Sequence, residues 1–239
     1  MHSFTYYGDL PGIASAYRLG PERAYERLNV FYNAVFALLG PLCDEGNLHV
    51  QMFSDSLVVW GKDAKAVLPH LQRVYLDLIN KNLLLRGAIV NKALVKEPRV
   101  EVAHFRKFLP TNDTLARAVG LEKTVRGARL LIEPLLATKL LEHQPEWLSV
   151  EGYLDAVHSN VPEDDVLRRI CPTPSGTSHE LLFFWRSDGA VFGTPNQKKM
   201  AKRFKELTEF HDPDIAEHLR ETLKLLRRCE FRRQQTASH

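Results

Sequence analysis

What most limits the fold of this chain is an alternation of short β-prone runs with long amphipathic stretches over its first half. Phe4 to Tyr7 is a β-prone run. From Pro21-Glu22-Arg23 onward, Tyr25, Leu28, Val30, Phe31, Ala34, Val35 and Leu38 recur near helical spacing, and Gly40-Pro41 is expected to end that helix. Two β-prone runs follow, His49 to Phe53 and Leu57 to Trp60, with Asp55 at their junction. A second helix is expected from Asp63 to about Asn82, with Val67, Leu68, Leu71, Val74, Tyr75, Leu78 and Ile79 as its apolar stripe. Leu83 to Val90 and Arg99 to Phe105 read as strands. Asp113 to Glu122 reads as a helix with Asp113 as N-cap, and Arg129 to Ile132 as a short strand. The order β-α-β-β-α-β-β-α-β joins hairpins and crossover helices. It predicts an α+β, ferredoxin-like core: a mixed sheet with helices packed on it.

The second half is less regular. Pro145, Pro162, Pro172 and Pro174 make residues 145–176 the most loop-like part. Leu181 to Trp185 and Ala190 to Phe192 flank the turn Ser187-Asp188-Gly189 and read as a hairpin. Pro195 to Arg228 reads as mostly helical, with Leu219, Leu223 and Leu226 on one face. Residues 1–144 are therefore expected to form a core, and 145–239 an extension that packs on it or on a dimer.

Composition excludes several classes. A formal net charge of +3 over 239 residues is too small to argue for nucleic-acid binding. Arg227-Arg228 and Arg232-Arg233 read as a solvated helix end, with an acidic partner surface as the alternative. No basic-then-apolar leader opens the chain, and no apolar run nears the roughly 20 residues that span a bilayer. Cys43, Cys171 and Cys229 are odd in number and lack CxxC spacing, which fits reduced thiols in a cytoplasmic setting. The histidines show no HExxH or Cys/His ligand spacing, and no Walker A, Gly-x-Ser-x-Gly or Gly-x-Gly-x-x-Gly segment is present.

Two carboxylates carry the chemistry. Asp9 follows the first β-prone run in Tyr6-Tyr7-Gly8-Asp9-Leu10-Pro11-Gly12, and Asp55 sits in Phe53-Ser54-Asp55-Ser56-Leu57. Acidic residues at neighbouring strand ends, beside small residues, suit a pair of divalent ions with a triphosphate between them. Each alone also reads as a turn residue. Gly12-Ile13-Ala14-Ser15 offers backbone N–H groups to phosphates at a helix entry, or is an ordinary turn. Gln51 offers a donor and an acceptor to a base edge, or is a solvated strand residue. Arg86 is either a substrate cation or a salt-bridge partner at the sheet edge.

These segments resemble the class III nucleotidyl cyclases. Tyr6-Tyr7-Gly8-Asp9-Leu10-Pro11-Gly12-Ile13-Ala14-Ser15 looks like their first metal segment, and Phe53-Ser54-Asp55-Ser56-Leu57-Val58-Val59-Trp60-Gly61 like their second metal hairpin. Leu85-Arg86-Gly87-Ala88-Ile89-Val90 is similar to their next core strand, and Thr114 to Glu122 to a helix carrying an Ala and a Leu-Glu. The likeness covers roughly residues 4 to 140 and is greatest to the pyrimidine cyclases of bacterial anti-phage (Pycsar) systems. It implies two divalent ions, Mg2+ or Mn2+, held by Asp9, Asp55 and the Leu10 carbonyl. It also implies a homodimer with active sites at the interface, and conversion of UTP or CTP to a 3′,5′-cyclic monophosphate.

The departures narrow the expectation. Adenylate cyclases read adenine with a Lys at the position of Gln51. The ribose-orienting Asn and transition-state Arg of that family fall at Ala116 and Gly120. Arg117 and Lys123 lie nearby as replacement cations. The frequency of uridylate cyclases in the family this chain resembles, rather than any residue, makes cyclisation of UTP the expected activity, with CTP or a catalytically silent nucleotide-binding module as alternatives. Its expected substrate contacts are Gly12, Ile13, Gln51 and Arg117.

Overall fold

The computed structural model describes residues 1–44, 46, 48–97, 108–142, 170–173, 175–181, 202, 205 and 215–225. The elements run β1 (Phe4–Asp9), α1 (Ile13–Leu19), α2 (Pro21–Asp44), β2 (Leu48–Phe53), β3 (Ser56–Gly61), α3 (Ala64–Asn80) and β4 (Arg86–Asn91). They continue with α4 (Thr114–Glu122), β5 (Leu130–Ile132), α5 (Pro134–Leu141), β6 (Ile170–Pro172) and β7 (His179–Leu181). One mixed sheet has the order β2-β3-β1-β4-β5-β7-β6. All its pairings are antiparallel except β4–β5. The first four strands in the order β2-β3-β1-β4, with α2 and α3 as crossovers, are the ferredoxin-like arrangement expected from the sequence.

Alternation along the strands gives the sheet two different faces. Phe4 and Tyr6 of β1, Leu57 and Val59 of β3 and Ile89 of β4 join the apolar stripes of α2 and α3 in the main core. The opposite face carries a smaller cluster of Val58, Trp60 and Leu94, with Tyr7, Phe108 and Leu115 packed against it. Helix α4 lies on this second face, against β4 and β1.

A close approach at the centre of the sheet fixes the helix-side packing. Gly8 and Gly87 are directly paired across β1 and β4, and the Tyr6 ring lies over both. A Cβ at Gly8 would stand 2.3 Å from the Tyr6 hydroxyl, and one at Gly87 2.4 Å from it. That hydroxyl hydrogen-bonds the Tyr75 hydroxyl of α3 at 3.1 Å, and Tyr75 donates to the Arg129 carbonyl at 2.9 Å. The chain of contacts ties β1, α3 and the start of β5 together through buried polar groups that are all paired.

Several boundaries differ from the sequence reading. Helix α2 continues through Gly40-Pro41 to Asp44; Pro41 falls in its last turn, where its missing N–H breaks one bond and propagates no further. An additional helix, α1, precedes it. Leu83–Leu85 precede the β4 ladder, because Asn82 turns left-handed (φ 63°) and Leu83 N donates to the Leu78 carbonyl at 2.9 Å, closing the end of α3. Asp113 stands at the N-cap of α4 without a capping hydrogen bond; its carboxylate instead lies 3.2 Å from Arg117. Part of the loop-like region forms β6, whose Pro172 is tolerated because β6 is an edge strand.

The strand read at Arg99 to Phe105 and nearly all of the 181–192 hairpin lie outside the described residues. Within the helix read from Pro195 to Arg228, residues 202, 205 and 215–225 are helical. Leu219, Leu223 and Leu225 of that last segment, with Ile170 and Leu181, belong to the main core.

Gly87→Ala tests the tyrosine packing. Driving a methyl into the Tyr6 ring should destabilise the fold by about 1–3 kcal/mol, seen as a lower midpoint in urea. A midpoint equal to wild type would show that Tyr6 does not need the glycine pair.

Candidate active site

The register of the central strand brings the two acidic segments together. Asp9, the last residue of β1, pairs with Ser56 of β3 on one side and with Arg86 of β4 on the other. The β2–β3 connection is the two-residue turn Ser54-Asp55, with Ser54 at φ 50°. So tight a turn leaves Asp55 beside the end of β1, and Leu10 N donates to the Asp55 carbonyl at 2.9 Å. Beyond Leu10, Gly12 adopts φ 90° as the N-cap of α1, a conformation that favours glycine. Its Cα also faces Ile215, with only 2.8 Å to spare for a Cβ.

These residues line an open cleft of about 540 Å³. Asp9, Leu10, Gly12, Ile13 and Asp55 form one part of it; Arg18, Arg86, Lys123 and Arg126 are its basic side chains. Ile215 and His218 close it from the C-terminal helical segment.

Arg86 bridges two carboxylates. Its guanidinium lies 3.1 Å from Asp9 Oδ2 and against Glu122 Oε1 of α4. Burial raises the Asp9 carboxyl above its ordinary range; Arg86 opposes the rise and the Asp55 charge adds to it. Glu122 is 2% exposed, and burial pushes its carboxyl up to about 7, with Arg86 opposing and Asp9 reinforcing. A positive charge beside Asp9 is therefore favourable in two ways: it offsets desolvation and relieves repulsion from Asp55.

Among the described residues no cluster of three or more His, Cys, Asp or Glu side chains could hold an ion. A carboxylate pair nonetheless fits Mg2+ or Mn2+ when a polyphosphate supplies further ligands, because Mg2+ is commonly held by one or two carboxylates, water and substrate phosphates. The Asp9 carboxyl, raised by burial and by the nearby Asp55 charge, has the chemistry such a cation relieves.

The structure thus gathers Asp9, Leu10, Gly12, Ile13 and Asp55 at one cleft. It does not gather Gln51 or Arg117. Gln51 lies on β2 between His49, stacked on Trp60, and Phe53, packed on Phe108, and does not line the cleft. The Arg117 guanidinium is held at 2.6 Å by Glu133 and at 2.8 Å by the Asn91 carbonyl. Arg117 therefore does not line this chain's own cleft; Lys123, one residue past α4 and the other nearby cation, does. Arg86 proves to be both a cleft residue and an ion-pair partner.

Sequence reasoning gave no role to Arg18, Arg126, Ile215 or His218. Glu122 was legible only as part of a helix motif, since its partner Arg86 lies 36 positions earlier.

No family model matches the chain, and no curated protein does. Among solved structures it is similar to the guanylyl cyclase Cya2, with a TM-score of 0.48 and 16% identity over 64% of this chain and 82% of that one. The adenylyl cyclase CyaB from P. aeruginosa gives a TM-score of 0.46 and 12% identity over 59% of this chain and 81% of that one. An adenylate cyclase from Trypanosoma brucei gives 0.48 and 10% over 62% and 79%. Among the described residues no helix is long and apolar enough to cross a membrane.

The raised Glu122 makes stability depend on pH. Its carboxyl moves from 4.5 to about 7 on folding, so between those values the folded chain keeps a proton that the unfolded chain has released. This contribution to stability is complete below the unfolded value and is lost as pH rises through the folded one. The Tm of the wild type should fall from about pH 5 to about pH 8, and Glu122→Gln should flatten that fall. An equally steep fall in the variant would exclude Glu122 as its source.

Proposed function

We propose that the protein is a metal-dependent nucleotidyl cyclase that converts UTP to 3′,5′-cyclic UMP and pyrophosphate. The observation that carries this reading is the joining of Asp9 and Asp55 at one basic cleft by the Leu10–Asp55 hydrogen bond. The sequence resemblance to pyrimidine cyclases supports the substrate class, as does Gln51 where an adenine-reading Lys would stand. The same resemblance supports a role in anti-phage signalling.

Cyclisation requires the ribose 3′-hydroxyl to attack the α-phosphorus in line as pyrophosphate leaves, so positioning and charge neutralisation do most of the work. Divalent ions at Asp9, Asp55 and the Leu10 carbonyl would lower the pKa of the hydroxyl and neutralise phosphate charge. Gly12 and Ile13 line the same cleft, and their backbone N–H groups are proposed to orient the triphosphate. Arg86 is held by Glu122 at a fixed place beside Asp9, and Lys123 and Arg126 add charge complementary to pyrophosphate.

Gln51 lies outside the chain's own cleft, so it would meet the base only from a second copy. That agrees with the homodimer implied by the resemblance. Its amide serves uracil and cytosine alike, which keeps CTP as the nearest alternative substrate. A second reading, a silent nucleotide-binding module, is favoured by one observation: Ala116 and Gly120 are exposed on α4 with no cation or amide at either position.

An equimolar NTP mixture with Mn2+ should yield cyclic UMP as the main product. Cyclic CMP as the main product would move the assignment to CTP, and tight binding without any cyclic product would establish the silent module. Asp9→Ala and Asp55→Ala should each lower turnover by about 100-fold or more, with thermal melting close to wild type. A variant retaining near-wild-type rate would remove that residue from the metal site.

A further inference from the structure

We propose that Arg86 is a resident cation of the cleft: its guanidinium holds, at Asp9, a place that a divalent ion would otherwise take, so that such ions bind weakly alone and tightly only with a polyphosphate. Glu122 is the positioning residue that keeps the guanidinium there. The proposal rests on the nucleotide reading above and adds to it what governs the loading of the ions.

The guanidinium is gripped from two sides. Asp9 and Arg86 are direct partners across β1 and β4, so their side chains start from neighbouring backbone positions. Arg86 Nη2 lies 3.1 Å from Asp9 Oδ2, and Arg86 Nε is ion-paired with Glu122 Oε1. The two acids engage different donors of one planar fork, which an arginine permits and a compact ammonium does not. The Glu122 side chain is 1% exposed, whereas those of Arg86 and Asp9 are 22% and 19% exposed. The Glu122 contact is therefore sealed in the protein, and the Asp9 contact is the one open to exchange.

This arrangement sets the electrostatics of loading. A divalent ion at Asp9 meets the positive charge of Arg86 beside it, and Glu122 keeps the guanidinium from withdrawing into bulk water. At a separation of a few ångströms, two charges against one lower affinity by about tenfold even under water-like screening. A polyphosphate entering with the ion reverses the sign, because its negative charge offsets the repulsion between the ion and Arg86. Lys123 lines the same cleft but is exposed, so its charge is screened more fully by water and salt. The exclusion is thus particular to Arg86, which touches the acid the ion would use.

The double substitution Arg86→Gln with Glu122→Gln removes the guanidinium together with the buried acid it would leave unpaired. A gain in ion affinity then cannot come from Glu122. The probe is Mn2+ alone, measured by equilibrium dialysis against the full chain, with circular dichroism to show that each variant is folded. The double variant should bind Mn2+ about tenfold more tightly than wild type. Lys123→Gln should stay within about twofold of wild type. Adding inorganic triphosphate at the same free Mn2+ should raise the Mn2+ retained by wild type by about tenfold.

Three results would each overturn the proposal: a double variant that binds Mn2+ no more tightly than wild type, an equal gain in Lys123→Gln, or wild-type Mn2+ retention that triphosphate does not raise. If the double variant does not fold, Arg86→Gln alone carries the same comparison and the same expected gain. Cyclic product from a wild type whose Mn2+ affinity is indifferent to Arg86 would reject the resident cation and leave the cyclase reading intact. The expected Mn2+ changes without cyclic product from any NTP would do the reverse.

Discussion

The site depends on β1 being paired on both edges. Because β3 and β4 flank it antiparallel, its last residue stands between Ser56 and Arg86, and the chain leaving it can bond the β2–β3 turn through Leu10 and Asp55. A slip of one residue would turn Asp9 toward the apolar core and Gly8 toward the cleft. The register is set on the helix side, where Tyr6 requires the paired glycines beneath its ring and reaches Tyr75 of α3. Packing on one face of the sheet thereby decides the position of charge on the other.

The charges so placed act against one another. Asp9 is desolvated and repelled by Asp55, and Glu122 is buried beneath the same Arg86 that answers Asp9. Removing Arg86 would leave the half-buried Asp9 and the buried Glu122 without their shared cation. Its double engagement keeps the end of β1 compatible with a folded chain, while Arg18, Lys123 and Arg126 also line the cleft. Stability and function draw on the same guanidinium.

Much of this was legible before folding. Helical stripes and strand runs from Phe4 to Ile132 gave the alternation of elements, because apolar periodicity reports the buried face directly. Asp9 and Asp55 stood out because each ends or joins strand-like runs beside small residues. The partners of Arg117 were not legible, because a position on α4 carries no information about which acid the guanidinium meets; Glu133 and the Asn91 carbonyl hold it. The strand β6 was hidden by its prolines, whose cost depends on whether a strand is central or at an edge.

The sequence by itself determined the α+β alternation and the pair of acidic turns, since both follow from local spacing and residue type. Only the tertiary structure decided that Arg86 and Glu122 belong with Asp9, that Arg117 does not, and that Ile215 and His218 complete the cleft. Those outcomes depend on contacts between residues far apart in the chain. Such contacts form when strands pair and helices pack, and they leave no periodic trace in the sequence.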